Sequence, residues 1–191
     1  MMNKKFWQEV FASQDAFNVS RRKIISESSN AQHLAKQSIF ALQRGNKKEA
    51  DEKLQLAKSG LMSLHKRFGT DLRLRMEGTW KAGVEEYLEA KMFSDFMNNK
   101  KIEGIKEFNV EADEYVGAIS DVSGEIVRMM IIWTTENKIA KVKKAGNEIS
   151  EIIGELTKNN FSGYLRTKFD QAKRNLQKSE SILYDIAIRD K

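Results

Sequence analysis

Two short acidic segments carry the residues best suited to chemistry. The first is Glu85-Glu86-Tyr87-Leu88-Glu89-Ala90 and the second is Ser120-Asp121-Val122-Ser123-Gly124-Glu125. Each lies within an apolar pattern of helical period. Residues three or four apart on a helix share a face. At roughly 100° per residue, Glu86 and Glu89 lie about 60° apart around one helix, and Asp121 and Glu125 about 40° apart around another. Two helices that each present two carboxylates can build a four-carboxylate site. Like charges held close together repel, so such a site needs a divalent cation, shared protons or basic partners. Hard oxygen donors favour Mg²⁺ or Mn²⁺. Spacing alone leaves two matters open. With 27 acidic residues among 191, such pairs also arise on solvated helix faces. Glu85 lies about 40° from Glu89 and competes with Glu86 for a place in the set.

The elements that must position these acids read as helices throughout. The first spans about 4–43, with apolar positions at Phe6, Trp7, Val10, Phe11, Phe17, Ile24, Ile25, Leu34, Ala35, Ile39, Phe40 and Leu42, and Gly45 closes it. The second spans about 47–68, with Leu54, Leu56, Ala57, Leu61 and Leu64 on its buried side. A third, about 72–98, carries Glu86 and Glu89. It contains Gly78 and Gly83, each costing up to about 1 kcal/mol relative to alanine, which suggests close helix packing. The fourth starts near 110. Its stripe of Tyr115, Ile119, Val122, Ile126, Met129 and Trp133 has the 4-3-4-3-4 rhythm of helix-on-helix packing, with Asp121 and Glu125 flanking it. Two more helices follow, at about 137–156 and 164–188. There is no alternating strand pattern and no internal repeat. The fold class expected is all-α, a bundle of six to seven helices forming one domain over 1–191.

Composition supports this reading. The chain has no proline, which suits long uninterrupted helices. It has no cysteine, so disulfides, thiolate metal sites and cysteine nucleophiles are excluded. The two histidines, His33 and His65, are preceded three residues earlier by Asn30 and Met62, so the Glu-x-x-His motif of di-iron bundles is absent. No phosphate-binding P-loop and no Gly-x-Gly-x-x-Gly occurs. No apolar run approaches the length of a membrane span, and the first ten residues do not read as a signal peptide, which points to the cytoplasm. The net charge of +6 suggests a polyanionic partner. Arg21, Arg44 and Arg128 are candidates for phosphate contact or for steadying the carboxylates. Each could equally be a solvated charge or the partner of a nearby acid, as Arg128 is for Glu125.

Three segments resemble the translin/Trax family. Ser20-Arg21-Arg22-Lys23-Ile24-Ile25 looks like the family's first-helix motif, followed by Leu42-Gln43-Arg44-Gly45, where Gln43 replaces the usual histidine. Residues 85–90 resemble the family's Gln-Glu-Tyr/Phe-Val-Glu-Ala. Residues 114–128 resemble Asp-Tyr-x-x-Gly-x-x-Asp-Leu-x-Gly-Glu-Leu-x-Arg, with the first glycine displaced by one position to Gly117. The resemblance implies an all-α, translin-like fold and a homo-oligomer, an octameric shell that binds single-stranded RNA or DNA. It implies that Glu86, Glu89, Asp121 and Glu125 match the catalytic, metal-binding acids of Trax-type subunits, and that Glu85, where the family has glutamine, stands outside the set. The activity it implies is that of a Mg²⁺-dependent endoribonuclease. Two alternatives stand beside it. One is a non-catalytic translin-type shell protein. The other is an all-α nucleoside triphosphate pyrophosphohydrolase, whose Glu-Glu-x-x-Glu matches residues 85–89 but whose second acidic pair runs glutamate before aspartate, opposite to Asp121 and Glu125.

Overall fold

The computed structural model describes residues 1–189, which form seven α-helices and no strand. Helix α1 (Lys4–Gln43) is the long spine. Its side-chain cap is Asn3, whose carbonyl oxygen accepts the N–H of Phe6. Only its second half is packed. Ile24, Ser28, Ala31, Ala35, Ser38 and Leu42 are buried at alternating four- and three-residue steps, with Ile39 beside them, so they form one stripe. Most are small, so neighbouring backbones approach closely. A Cβ at Gly83 would lie 2.9 Å from the Ser28 backbone carbonyl oxygen, so the α1 and α4 backbones approach closely there. That contact is the reason for Gly83. Gly78 has open space around its Cβ direction, and its place is the start of a helix, so close packing does not explain it.

Gly45, at φ +77°, reverses the chain after α1, a conformation glycine adopts without strain. Helix α2 (Lys47–Phe68) returns along α1 with Ala50, Ala57, Leu61 and Leu64 buried. Leu56, expected on the buried side, is exposed because it lies off the three-four stripe that those four residues define. The single helix expected over 72–98 is two. Helix α3 (Leu72–Arg75) is one turn, capped by Asp71. Extended backbone at Glu77 separates it from α4 (Gly78–Met97). The break turns Arg75, 5% exposed, into the core, where its guanidinium binds Glu114 at 2.6 Å.

Glu114 belongs to α5 (Ala112–Thr135) and also accepts the backbone N–H of Glu111, closing a capping box at the start of that helix. Helix α5 packs against α4, α6 (Ile139–Leu156) and α7 (Gly163–Arg189), which explains buried residues on several of its faces. The buried apolar residues form one continuous cluster that draws on every helix. No helix among the described residues is long and apolar enough to cross a membrane.

The Arg75–Glu114 pair is the most buried ion pair among the described residues, with side chains 6% and 2% exposed. Removing one partner of a buried pair strands the other charge and costs roughly 3–5 kcal/mol. Arg75→Met is expected to destabilise the fold by that order. The double variant Arg75→Met/Glu114→Gln is expected to lose distinctly less. Urea denaturation at fixed protein concentration checks both.

Candidate functional site

The acids lie where α4 and α5 face each other. Glu85, Glu86 and Glu89 project from consecutive turns of α4, and Asp121 and Glu125 from consecutive turns of α5. Two adjoining cavities result. One, of about 410 Å³, is lined by Gln32, Lys81, Glu85, Glu86, Glu89, Asp121, Tyr164 and Lys168. The other, of about 300 Å³, is lined by Lys36, Phe40, Gln43, Glu86, Glu89, Glu125 and Arg128. Glu86 and Glu89 thus form a wall common to both, with Asp121 on one side and Glu125 on the other.

Each acid has a different balance. The Lys36 ammonium stands 3.5 Å from Glu86, but burial outweighs it and raises the Glu86 pKa. Asp121 is raised by burial, against the pull of the Lys168 ammonium that binds it. Glu125 is raised by burial, against Arg128 and a hydrogen bond donated by the Gln43 amide. Glu89 is the extreme case. It is 8% exposed and has no hydrogen bond or ion pair of its own among the described residues. Burial first, then the charges of Glu86, Asp121 and Glu125, push its carboxyl up to about 9. At neutral pH Glu89 therefore holds a proton.

Lys168 is the residue that sequence reasoning missed. Its ammonium bridges Glu85, at 2.7 Å, and Asp121. Burial works against that charge, and the bonds to Asp121, Glu85 and Tyr164 outweigh it, so the Lys168 pKa stands above the usual lysine value. The Tyr164 hydroxyl donates to Glu85 at 2.5 Å and, through burial and that carboxylate, its pKa rises to about 12. Tyr164 and Lys168 are four residues apart on α7, so they share a face. Their partners lie 47 or more residues earlier in the chain. In the sequence Lys168 reads as one of several cations on the basic side of the last helix. The only local signal is the Tyr164–Lys168 spacing.

Glu85 lies inside the first cavity, held by Lys168 and Tyr164, while a Cβ at Gly117 would collide with its carboxylate. Gly117, one turn before Asp121 on α5, therefore makes room for the extra acid of the first segment. Gly124 serves packing. A Cβ there would lie 3.3 Å from the Asn175 amide, which donates to the Ser123 hydroxyl at 2.9 Å and ties α7 to α5.

The arginines are dispersed. Arg128 lines the second cavity beside Glu125. Arg44, at the end of α1, pairs with Glu49 at 3.2 Å and lies over the Phe40 ring, which lines the same cavity. Arg21 pairs with Glu77 at 2.6 Å, next to Gly78 at the edge of the first cavity. Among the described residues no group of three or more acids or histidines is gathered closely enough to hold a metal ion as it stands. Within that set Lys168 already occupies Asp121 and Glu85.

A raised carboxyl pKa has a defined linkage to stability. Glu89 is protonated in the fold up to about pH 9 but ionises near 4.5 when unfolded. Its favourable contribution is complete below pH 4.5 and is lost as pH rises towards 9. Glu89→Gln, which removes the titration, is expected to be more stable than the parent at pH 8 without divalent cation, on the order of 1–3 kcal/mol. Its melting temperature is expected to fall less between pH 5 and 9. Calorimetry across that range checks both.

A Translin family model matches residues 19–190. Among solved structures, the chain is similar to apo-NeC3PO, with 19% identity, a TM-score of 0.82, and 96% of this chain and 97% of that chain covered. It is similar to AfC3PO at 16% identity and a TM-score of 0.84, and to AfC3PO in its duplex RNA complex at 15% and 0.83, with the same coverage. These likenesses show a shared all-helical fold. No curated protein matches the chain at a significant level. A match over nine-tenths of the length, carried by a chain whose helices superpose on those structures, establishes that this protein belongs to the Translin family.

Proposed function

We propose that this chain is a Trax-like endoribonuclease that acts on single-stranded RNA with Mg²⁺ or Mn²⁺. The observation that carries this reading is Glu89, a buried carboxyl that has no basic partner of its own and three acidic neighbours. A fold with no use for such a group would place an apolar side chain there, because burying it is costly. Perturbed acids gathered in a cleft mark functional sites. The donor set is all oxygen, which suits a hard cation. The Lys168 ammonium already stands in for positive charge between Asp121 and Glu85. Glu86, Glu89, Asp121 and Glu125 are the residues that would hold the cation.

The cation would supply Lewis-acid polarisation of a phosphodiester and a nucleophile at neutral pH. The chain's own residues do the rest. Glu89 gives up its proton for the four carboxylates to act together, so cation affinity rises with pH. Lys36 and Arg128, on the wall of the second cavity, orient phosphate oxygens of the bound strand. Lys168 turns from Asp121 while keeping Glu85 and Tyr164. The net charge of +6 supports a polyanionic substrate, and the AfC3PO structure with duplex RNA supports RNA as that polyanion.

One observation favours a second reading, a non-catalytic translin-type binding protein. The acids are divided between two cavities, and Lys168 already neutralises Asp121. A cleavage assay separates the two. With labelled single-stranded RNA and Mg²⁺ or Mn²⁺, the parent chain is expected to cut and Asp121→Asn to fall to background while still binding RNA. Glu85→Gln, an equal change of charge in the same cavity, is expected to retain cleavage. RNA binding without cleavage by the parent would establish the second reading. Hydrolysis of free nucleoside triphosphates in place of RNA would overturn both. Binding is also expected to weaken with salt, each phosphate contact adding about 0.7 to the log–log slope for a single strand. Titrations at several salt concentrations measure it.

A further inference from the structure

Three cations stand near the four acids, and they are not held alike. Lys36 reaches Glu86 at 3.5 Å with a side chain 59% exposed, and Arg128 is exposed beside Glu125. Water screens pairs of that kind, and they contribute little. Lys168 differs. Its side chain is 20% exposed, and its ammonium binds the carboxylates of Asp121 and, at 2.7 Å, of Glu85. Among the described residues no other cation lies within ion-pair distance of Asp121. Any further positive charge that takes Asp121 as a partner must first part it from Lys168.

The second contact shows where the ammonium can go. Glu85 is placed to hold Lys168 by itself. The Tyr164 hydroxyl donates to Glu85 at 2.5 Å, and Gly117 leaves the Glu85 carboxylate room that a Cβ would take. The centre of the Tyr164 ring lies 5.3 Å from the Lys168 ammonium, within reach of a cation–π contact. An ammonium carries three donors on a flexible four-carbon stem. Released from Asp121, it keeps Glu85 and the ring, and so avoids becoming an unpaired charge in a partly buried place, which is costly. A lysine that served only to neutralise Asp121 would need neither Glu85 nor Tyr164.

We propose that Lys168 is the resident counter-ion of the acidic site and sets its affinity for a divalent cation, holding Asp121 until displaced and then retiring to Glu85 and Tyr164. With the four acids as the cation's ligands, the reading on which this rests, cation binding is an exchange. The Lys168–Asp121 bond is lost as the new bonds form, so affinity is lower than the donors alone would give. Removing the ammonium therefore strengthens binding, whereas removing a merely structural residue would weaken it. Glu85 eases the exchange by keeping the displaced ammonium paired, and it does so only while Lys168 is present.

The test is cation binding without RNA, by titration calorimetry of the full chain with Mn²⁺ and with Mg²⁺. Lys168→Met is expected to bind roughly tenfold more tightly than the parent or better, because a hydrogen bond between charged groups no longer has to break. Lys168→Gln, which can still donate a weaker bond to Asp121, is expected to fall between the two. Lys168→Arg keeps a charge against Asp121 and is expected to stay within about threefold of the parent. Glu85→Gln is expected to weaken binding several-fold in the parent, a loss that saturating cation makes good, and clearly less in Lys168→Met, a coupling read from the double-mutant cycle. The melting temperature gained on adding Mn²⁺ should be larger in Lys168→Met than in the parent at equal concentration. Circular dichroism checks that each variant folds. Suppose Asp121→Asn abolishes binding by the parent, yet Lys168→Met and Lys168→Gln bind no more tightly than it does: that would overturn this inference alone. Equal effects of Glu85→Gln in the two backgrounds would remove Glu85 from the exchange. Binding by none of these chains, or binding indifferent to Asp121→Asn, would overturn the proposed cation site and this inference with it.

Discussion

Four carboxylates held between two packed helices set the terms for the rest of this structure. Like charges in a partly dehydrated space repel, and the protein answers with a different device at each position. Glu86 has Lys36, Asp121 has Lys168, and Glu125 has Gln43 and the nearby Arg128. Glu89 has none of these and keeps its proton instead. Those devices come from α1, α5 and α7, so three helices besides α4 are committed to stabilising one acidic wall. Glu86, Asp121 and Glu125 thus each have a cation beside them, and Asp121 shares its own, Lys168, with Glu85.

The scaffold is built to bring those helices close. Small residues on α1 and Gly83 on α4 let the two backbones approach until Ser28 and Gly83 touch. That approach puts Gln32 and Lys36, one turn apart, beside Glu86 of α4, and Gln43, two turns further on, beside Glu125 of α5. On the other side Gly117 leaves space for Glu85, and Asn175 ties α7 to Ser123. The Arg75–Glu114 pair pins the turn before α4 to the first turn of α5. Glu86, Glu89, Asp121 and Glu125 lie about two to three turns further along their helices.

Charge is sorted over the molecule in a way its total conceals. The chain is positive by six, yet both of its larger hollows are lined with acids. The cavity between α4 and α5 has cations set into it. The groove against α6 has an apolar floor and one lysine at its rim. The first hollow therefore sets acids against cations, and the second sets an apolar floor within a mostly acidic lining.

Much of the architecture was legible in the residues. The absence of proline, the three-four rhythm of the apolar positions and the glycines between them specify long helices; four of the six segments read from them lie within about two residues of the observed bounds at both ends, and a fifth does so at its start. The pairing of Glu86 with Glu89 and of Asp121 with Glu125 was legible for the same reason, since helical geometry is local and depends on spacing alone. The rest depends on contacts between residues distant in the chain, which spacing does not encode. The break before α4 exists because Arg75 finds Glu114, 39 residues away. The exposed start of α1 has an apolar pattern like its packed half, and only the position of the other helices distinguishes them. Lys168 looks like any surface lysine until folding sets it between Glu85 and Asp121. The division of the acids between two cavities, and the proton on Glu89, follow from burial and from four charges meeting across two helices, and both arise only when the helices pack.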